Sequence, residues 1–138
     1  MSQGKVVQVI GPVVDVEFPS NQLPQILNAL IIEGSNEMRG KTESIHLTVE
    51  VASHLGDNVV RCIALGPTDG LRRGMVTQDT GKPISVPVGK ACLGRLLNVL
   101  GEPQDYLGPV KAETTFPIHR QPPPLVDQAT TTQIFETG

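Results

Sequence analysis

A glycine-rich stretch from Gly34 to Thr42 contains the residue types that bind phosphate groups. A phosphate-binding loop has the spacing G-x-x-x-x-G-K-[ST] between a strand and a helix, so that backbone N–H groups and the lysine meet the phosphates. Residues 40–42 read GKT, but five residues separate the two glycines instead of four. The following segment, Glu43 to Ala52, alternates as a strand, which leaves no helix N-terminus to face a phosphate. The sequence therefore favours a hairpin loop here over a nucleotide site.

A second stretch, Asp79-Thr80-Gly81, has the motif that supplies the carboxylate of aspartic proteases. That chemistry requires two such carboxylates that share a proton. The chain contains one copy with polar flanking residues, so catalysis would require a symmetric dimer. The alternative is a turn in which the aspartate side chain accepts a hydrogen bond from a backbone N–H group nearby. The sequence favours this turn.

The histidines and cysteines do not have the spacing of a metal or redox centre. His46, His54 and His119 are far apart in sequence, and neither Cys62 nor Cys92 belongs to a metal-binding or redox motif. We therefore predict no metal site. The two cysteines are predicted to be small buried hydrophobic residues in a reducing compartment.

A loop of mixed charge, Gly66 to Gly74, is the remaining candidate site. It contains Asp69, Arg72 and Arg73. The residues alone leave two interpretations open: a solvated turn, or a contact with a neighbouring subunit. Arg95 and Arg120 are further cations that could pair with carboxylates of another domain.

Composition excludes several classes of function. The net charge is −3, no basic stripe is present and only 3% of residues are aromatic, so the charges and stacking groups of a nucleic-acid-binding surface are missing. No apolar run approaches the roughly 20 residues that a membrane-spanning helix needs. The N-terminus lacks the pattern of a signal peptide.

The elements that must position these residues are mainly short strands. In Ile45 to Val51, apolar and polar residues alternate with the period of two that is typical of a half-buried strand, and Val14 to Phe18 has the same pattern. Six short strands at regular spacing favour a small closed barrel or sandwich. The stretch from Gly34 to Lys41 is predicted to be a polar loop. The predicted strands are Lys5–Ile10, Val14–Phe18, Ala29–Glu33, Ile45–Val51, Val59–Leu65 and Met75–Gln78, with a further short one at Ile84–Val86.

The second half of the chain is rich in glycine and proline. Around Pro83 and Pro87 these residues predict a rigid connector without regular structure. The nearly continuous apolar run from Cys92 to Leu100 is predicted to be buried on most sides. From Val110 to Gly138, prolines leave little room for a helix and few residues could form a core, so we expect an extended tail that is poorly ordered by itself.

Four stretches of the sequence resemble the catalytic β subunits of F-type, proton-translocating ATP synthases. They are VVQVIGPVVDVEF near the start, PTDGLRRGM at residues 67–75, ISVPVG with LGR and NVLGEP at residues 84–103, and FPIHR with IFETG at residues 116–138. The form FPIHR is most similar to the chloroplast and cyanobacterial branch of the family. The resemblance covers nearly the whole chain.

The resemblance implies a fold and a division of the chain. It implies a mainly β fold with a six-stranded closed β-barrel, followed by the extended start of an α/β nucleotide-binding domain. Residues 1–82 would form the barrel domain of the crown, and residues 83–138 the linker and the incomplete beginning of the nucleotide-binding domain.

The resemblance also implies a function for the whole protein and a limited one for this part. Family members synthesise ATP from ADP and phosphate with a proton gradient, use Mg-ATP and Mg-ADP, and alternate with α subunits in a hexamer around the γ subunit. The complex is attached peripherally to a thylakoid or bacterial inner membrane, on the stromal or cytoplasmic side. The family's phosphate loop follows its ETG segment, so we expect no catalytic, cofactor-binding or metal residue here, and no activity of this chain alone.

The interface interpretation of Asp69, Arg72 and Arg73 gains support from the resemblance, because this loop region lies near the α–β interface and a cyclic-peptide inhibitor site in the plant-type family. Two alternatives remain open at this point. One is a stand-alone β-barrel interaction module without catalytic activity. The other is an unrelated small β enzyme that uses Asp79.

Overall fold

The computed structural model describes residues 2–38 and 41–134. Six antiparallel strands close into a barrel in the spatial order β1-β2-β5-β4-β3-β6. Two further strands, β7 and β8, form a separate antiparallel pair. The strands are β1 Gln3–Ile10, β2 Val13–Glu17, β3 Asn28–Met38, β4 Lys41–Gly56, β5 Val59–Ala64, β6 Val76–Pro83, β7 Ser85–Val88 and β8 Thr114–Pro117.

The barrel interior is filled mainly by valine, leucine and isoleucine. Val14 and Val16 on β2, Leu30 on β3 and Val49 and Val51 on β4 are fully buried. These residues occur at every second position, so they point to the same side of their strands. Each such side chain stabilises the fold by about 1.5–3 kcal/mol when it is removed from water. The prediction of a mainly β, six-stranded closed barrel is confirmed.

The hairpin that connects β3 to β4 is longer than the sequence predicted. The stretch from Gly34 to Lys41 was expected to be a polar loop, but β3 continues to Met38 and β4 begins at Lys41. The pairing runs from Ala29 opposite Glu50 to Met38 opposite Lys41. The prediction was wrong because the polar residues of this hairpin satisfy their backbone groups by pairing with each other, which requires no apolar alternation.

Strand β6 also extends beyond its predicted end at Gln78. It continues to Pro83 and includes Gly81, in a region where we expected an irregular connector. The register between β3 and β6 shifts between Asn28 and Leu30, so the strand accommodates an irregularity. Gly81 has a φ of 71°, which only glycine adopts without strain. Gly81 therefore accommodates the irregularity, and the strand ends at Pro83, which has no backbone N–H to donate.

The segment after β6 forms part of a second sheet: its strand β7 confirms the short strand predicted at Ile84–Val86, whereas the expected lack of regular structure around Pro87 was wrong. Ser85 to Val88 pairs with Thr114 to Pro117, with Val86 opposite Phe116. Two short 3-10 helices follow β7 and β8, at Lys90–Cys92 and Leu125–Asp127. None of the helices in the described residues is long and apolar enough to cross a membrane.

The apolar run from Cys92 to Leu100 is largely exposed, contrary to the prediction. Leu93 is 76% exposed, Leu96 63% and Val99 65%. The chain turns at Gly94 and Gly101, both with positive φ, so the run forms no continuous strand or helix that could present one buried face. Cys92 is half-buried, although the sequence predicted it to be buried. Cys62 is buried, in agreement with the prediction.

The described part of the tail has few buried side chains, as its composition predicted. From Lys111 to Ile134 nearly every side chain is exposed, although β8 gives the segment more regular structure than expected. Residues 135–138, which include most of the IFETG motif, lie outside the described residues.

Candidate functional site

The loop between β5 and β6 carries the predicted interface residues and is fixed to the barrel. The hydroxyl of Thr68 donates a hydrogen bond to the carbonyl oxygen of Gly11 over 2.9 Å. The backbone N–H of Leu71 donates to the carbonyl oxygen of Thr68 over 3.1 Å, and the Leu71 side chain packs against the core. Gly70 has a φ of 83°. The backbone of the loop is therefore held in one conformation, which fixes the positions from which its charged side chains extend.

Asp69 is exposed and borders a cleft between the barrel and the connector. The cleft has a volume of about 420 Å³, with Leu100 and Glu102 from the connector and residues 44–48 of β4 in its lining. The polar lining combines the acidic residues Asp69 and Glu102 with His46.

Arg73 borders a different cleft from Asp69. Its Nε atom donates a hydrogen bond to the carbonyl oxygen of Val7 over 2.6 Å, and its neighbours in the cleft are Gln8, Val9 and Leu71. Arg72, beside it, is also exposed. The structure thus places the three predicted residues on one loop, but Asp69 and Arg73 border separate clefts. They could contact two parts of a neighbouring surface and do not form one binding pocket.

Asp79 is a structural residue of the barrel. Its Oδ1 atom accepts hydrogen bonds from the Asn28 side chain over 3.1 Å and from the Gly81 backbone N–H over 2.9 Å. The second bond is the predicted side-chain-to-backbone hydrogen bond, although Asp79 and Gly81 lie within strand β6 and not in a separate turn. Asp79 is only 9% exposed and its backbone N–H donates to the carbonyl oxygen of Ser2. This environment holds the N-terminal residues against β6 and does not present a carboxylate to a substrate.

The phosphate-loop-like stretch lies on the β3–β4 hairpin. Lys41 opposes Met38 and Thr42 opposes Glu37 in the antiparallel register, so a strand and not a helix follows the motif. The hairpin interpretation is therefore confirmed for the described residues. Arg39 and Gly40 lie outside them.

The three histidines have three separate environments. His46 Nδ1 lies 3.4 Å from a carboxylate oxygen of Glu33 on the barrel surface. His54 Nε2 lies 2.8 Å from the carbonyl oxygen of Pro24. His119 Nε2 lies 2.9 Å from a carboxylate oxygen of Glu50. In residues 2–38 and 41–134, no group of three or more His, Cys, Asp or Glu side chains could hold a metal ion.

Sequence reasoning missed a salt bridge between Asp15 and Arg61. Asp15 was expected on the solvated face of its strand, but it is 4% exposed. Both of its carboxylate oxygens accept hydrogen bonds of 2.9 Å from the guanidinium group of Arg61. The side-chain hydrogen bond with Asp15 raises the pKa of Arg61 above its usual value. The two residues are directly opposite across β2 and β5, a non-local pairing that alternation alone does not reveal.

The sequence alone identified no partner for Arg95 and left a carboxylate of another domain as one possibility, and the structure shows a partner within the chain. Its guanidinium nitrogens donate to the two carboxylate oxygens of Asp105 over 2.5 and 3.0 Å, and to the carbonyl oxygen of Gly108. Chiefly because of the hydrogen bond with Arg95, the pKa of Asp105 lies well below its usual range. Arg120, the other candidate, stacks 3.9 Å from the ring centre of Phe116.

Cys62 is an unreactive thiol in the core. Burial raises its pKa to about 12, with a smaller contribution from the negative charge of Asp15. The nucleophilic thiolate form is therefore nearly absent at neutral pH. This agrees with its predicted role as a small hydrophobic residue.

Comparison with known families gives one match that coincides with the barrel. Residues 6–81 match the family model described as the ATP synthase alpha/beta family, beta-barrel domain. The match covers more than half of the 138 residues. It begins in β1 and ends in β6, the first and the last strands of the closed barrel.

Proposed function

The chain belongs to the ATP synthase alpha/beta family, and from this premise we propose that it is the N-terminal part of the catalytic β subunit of a proton-translocating ATP synthase. The observation that carries the proposal is the closed six-stranded barrel within the matched residues. The motifs ISVPVG, NVLGEP and FPIHR, which follow the barrel in sequence, support the β subunit over other members. The FPIHR form supports the chloroplast and cyanobacterial branch.

The role proposed for the described part is assembly. In this proposal the barrel alternates with the barrels of α subunits in a ring, while the whole protein also contacts the γ subunit. The charged loop between β5 and β6 supports this role, because its backbone is held on the barrel while Asp69, Arg72 and Arg73 are exposed. Exposed charges at the edge of an interface mainly determine which partner binds and how fast the two proteins associate.

Catalysis is proposed for the whole protein and not for the residues described above. Synthesis of ATP from ADP and phosphate, with Mg²⁺, requires a phosphate loop and a general-base carboxylate, and we assign neither to this chain. The complex would lie peripherally on a thylakoid or bacterial inner membrane, on the stromal or cytoplasmic side.

Assembly with an α subunit tests the proposal. The purified chain is mixed with an F-type α subunit, and complex formation is measured by size-exclusion chromatography with light scattering. We expect a complex with the α subunit and none with an unrelated β-barrel protein. A chain that is folded by circular dichroism but forms no complex with α would favour the stand-alone module.

Charge reversals test the assignment of the loop separately. Asp69→Lys, and the pair Arg72→Glu with Arg73→Glu, should weaken the complex and make its salt dependence smaller. Glu113→Lys is the matched control, because Glu113 is an exposed carboxylate next to β8 and far along the chain from the loop. Full binding by both loop variants would remove these residues from the interface while leaving the subunit assignment standing.

A further inference from the structure

A polar contact joins the segment after β8 to the wall of the barrel. His119 Nε2 lies 2.9 Å from the Oε2 atom of Glu50, although the two residues are 69 positions apart. The ring donates this hydrogen bond both as the neutral Nε2–H tautomer and as the imidazolium, so the contact is compatible with either state. The Glu50 side chain is 16% exposed and that of His119 44%.

Glu50 is placed on the outer surface of β4 with uncharged neighbours. It is directly opposite Ala29 on β3 and Ile63 on β5. Arg61, the cation on the adjacent β5 strand, is already bound to Asp15. Among the described residues, His119, two residues after β8, is therefore the side-chain partner of Glu50.

The segment that His119 belongs to has little else to hold it. Strand β8 pairs with β7 at four register positions, and the N–H of Ile118 donates to the carbonyl oxygen of Ile84 over 2.9 Å. Its apolar side chains are only partly buried, because Phe116 is 38% exposed and Ile118 45%. A segment with few buried apolar contacts opens locally at low free-energy cost, so single polar contacts matter more there than in the core.

We propose that His119 and Glu50 form a strap that holds the end of β8 against the barrel and thereby sets the direction in which the chain continues after the second sheet. The backbone hydrogen bond from the Ile118 N–H to the Ile84 carbonyl oxygen lies one residue before His119. It therefore holds the same part of the chain as the contact between His119 and Glu50. Without the strap, β8 remains tethered through β7, but its C-terminal end separates from the barrel more often. The proposal does not depend on the subunit assignment.

Amide hydrogen exchange in the full chain measures this opening. The Ile118 amide is the reporter, with its rate corrected for the intrinsic effect of the neighbouring side chain. In His119→Ala and in Glu50→Ala, we expect exchange about two- to fivefold faster, the range for one partly exposed ion pair. The double variant should exchange no faster than either single one, because both substitutions remove the same contact. The Leu65 amide, which donates to Thr48 in the barrel, should be unchanged.

A matched pair of the same residue types provides the control. His46 and Glu33 form a contact on the barrel surface 3.4 Å long, and His46→Ala or Glu33→Ala should leave Ile118 exchange unchanged. Unchanged exchange in His119→Ala, or additive effects in the double variant, would overturn the strap. If Glu50→Ala disturbs the barrel, the reversed pair Glu50→Lys with His119→Glu decides the question. It should restore slow exchange of Ile118, and failure to do so in a folded chain would also overturn the proposal.

Discussion

Asp15 on β2 and Arg61 on the adjacent strand β5 are directly opposite in the register and form two parallel hydrogen bonds of 2.9 Å. The carboxylate is buried beneath the guanidinium group, whose side chain is 43% exposed. A carboxylate removed from water is tolerated only when it is paired. The guanidinium group of Arg61 therefore shields the Asp15 carboxylate from solvent and neutralises its charge. This pairing allows a charged residue to be buried on β2.

Replacing Arg61 alone should destabilise the barrel more than replacing both Asp15 and Arg61. Arg61→Leu leaves the Asp15 carboxylate buried and unpaired, so we expect a clear fall in melting temperature. Asp15→Val combined with Arg61→Leu replaces the pair with an apolar cross-strand contact and should recover most of that loss. Thermal unfolding followed by circular dichroism measures both. A double variant as unstable as Arg61→Leu alone would show that the buried carboxylate is not the cause.

An aspartate substitution can test which face of β4 points into the barrel core. Val49 is fully buried, so Val49→Asp places a carboxylate in the core and should cost roughly 3 kcal/mol or more of the free energy of unfolding. Ala52→Asp is the control, because Ala52 lies on the same strand and is exposed. Urea unfolding compares the two. Equal midpoints for Val49→Asp and the unsubstituted chain would mean that the assigned face of β4 is wrong.

The pair formed by Arg95 and Asp105 should give a pH-dependent contribution to stability. The pKa of Asp105 in the folded chain is below its ordinary value of 3.8, so the folded state binds this proton less readily than the unfolded state. Its contribution is therefore fully present above about pH 4 and is lost as the pH falls towards the folded-state pKa. Arg95→Gln should lower stability near neutral pH, and the difference from the unsubstituted chain should shrink below about pH 4.

The pH dependence is measured by thermal unfolding between about pH 2.5 and pH 7, with NMR titration of the Asp105 carboxyl carbon as a direct check. In Arg95→Gln the carboxyl should titrate closer to its ordinary range. An Asp105 titration that is the same with and without Arg95 would contradict the pair.

The two cysteines should react with thiol reagents at very different rates. Cys62 is buried and its pKa is raised to about 12, whereas Cys92 is half-buried. At neutral pH we expect one thiol to react in the folded chain and both to react in denaturant. Mass spectrometry counts the labelled sites, and Cys92→Ser should abolish the labelling of the folded chain. Labelling of Cys62 without unfolding would indicate that the barrel opens.

The sequence predicted the barrel where side chains alternate regularly, as in Ile45 to Val51, because period-two alternation depends only on which face is buried. It did not predict the extension of β6 through Gly81 and Pro83, since local rules for glycine and proline indicate irregular structure and the sheet overrides them. It also did not predict the salt bridge between Asp15 and Arg61, because these residues are 46 positions apart and meet only through the register of two strands.

The candidate site was predicted less completely than the fold. The sequence identified the charged loop with Asp69, Arg72 and Arg73, but it could not show that Asp69 and Arg73 border separate clefts. It left the partner of Arg95 open, because Asp105 is ten residues away and meets Arg95 only after the chain turns at Gly101. The exposed leucines from Leu93 onwards show the same limit: an apolar run alone does not indicate what covers it.

We propose that this barrel is the N-terminal domain of the catalytic β subunit of an ATP synthase, and the coding sequence beyond Gly138 tests this proposal most directly. Sequencing the transcript across that codon requires no assumption about assembly. We expect an open reading frame with G-x-x-x-x-G-K-[ST] a short distance downstream, where a helix N-terminus would bind the phosphates of a nucleotide. A stop codon immediately after Gly138 would contradict the claim and leave a stand-alone barrel.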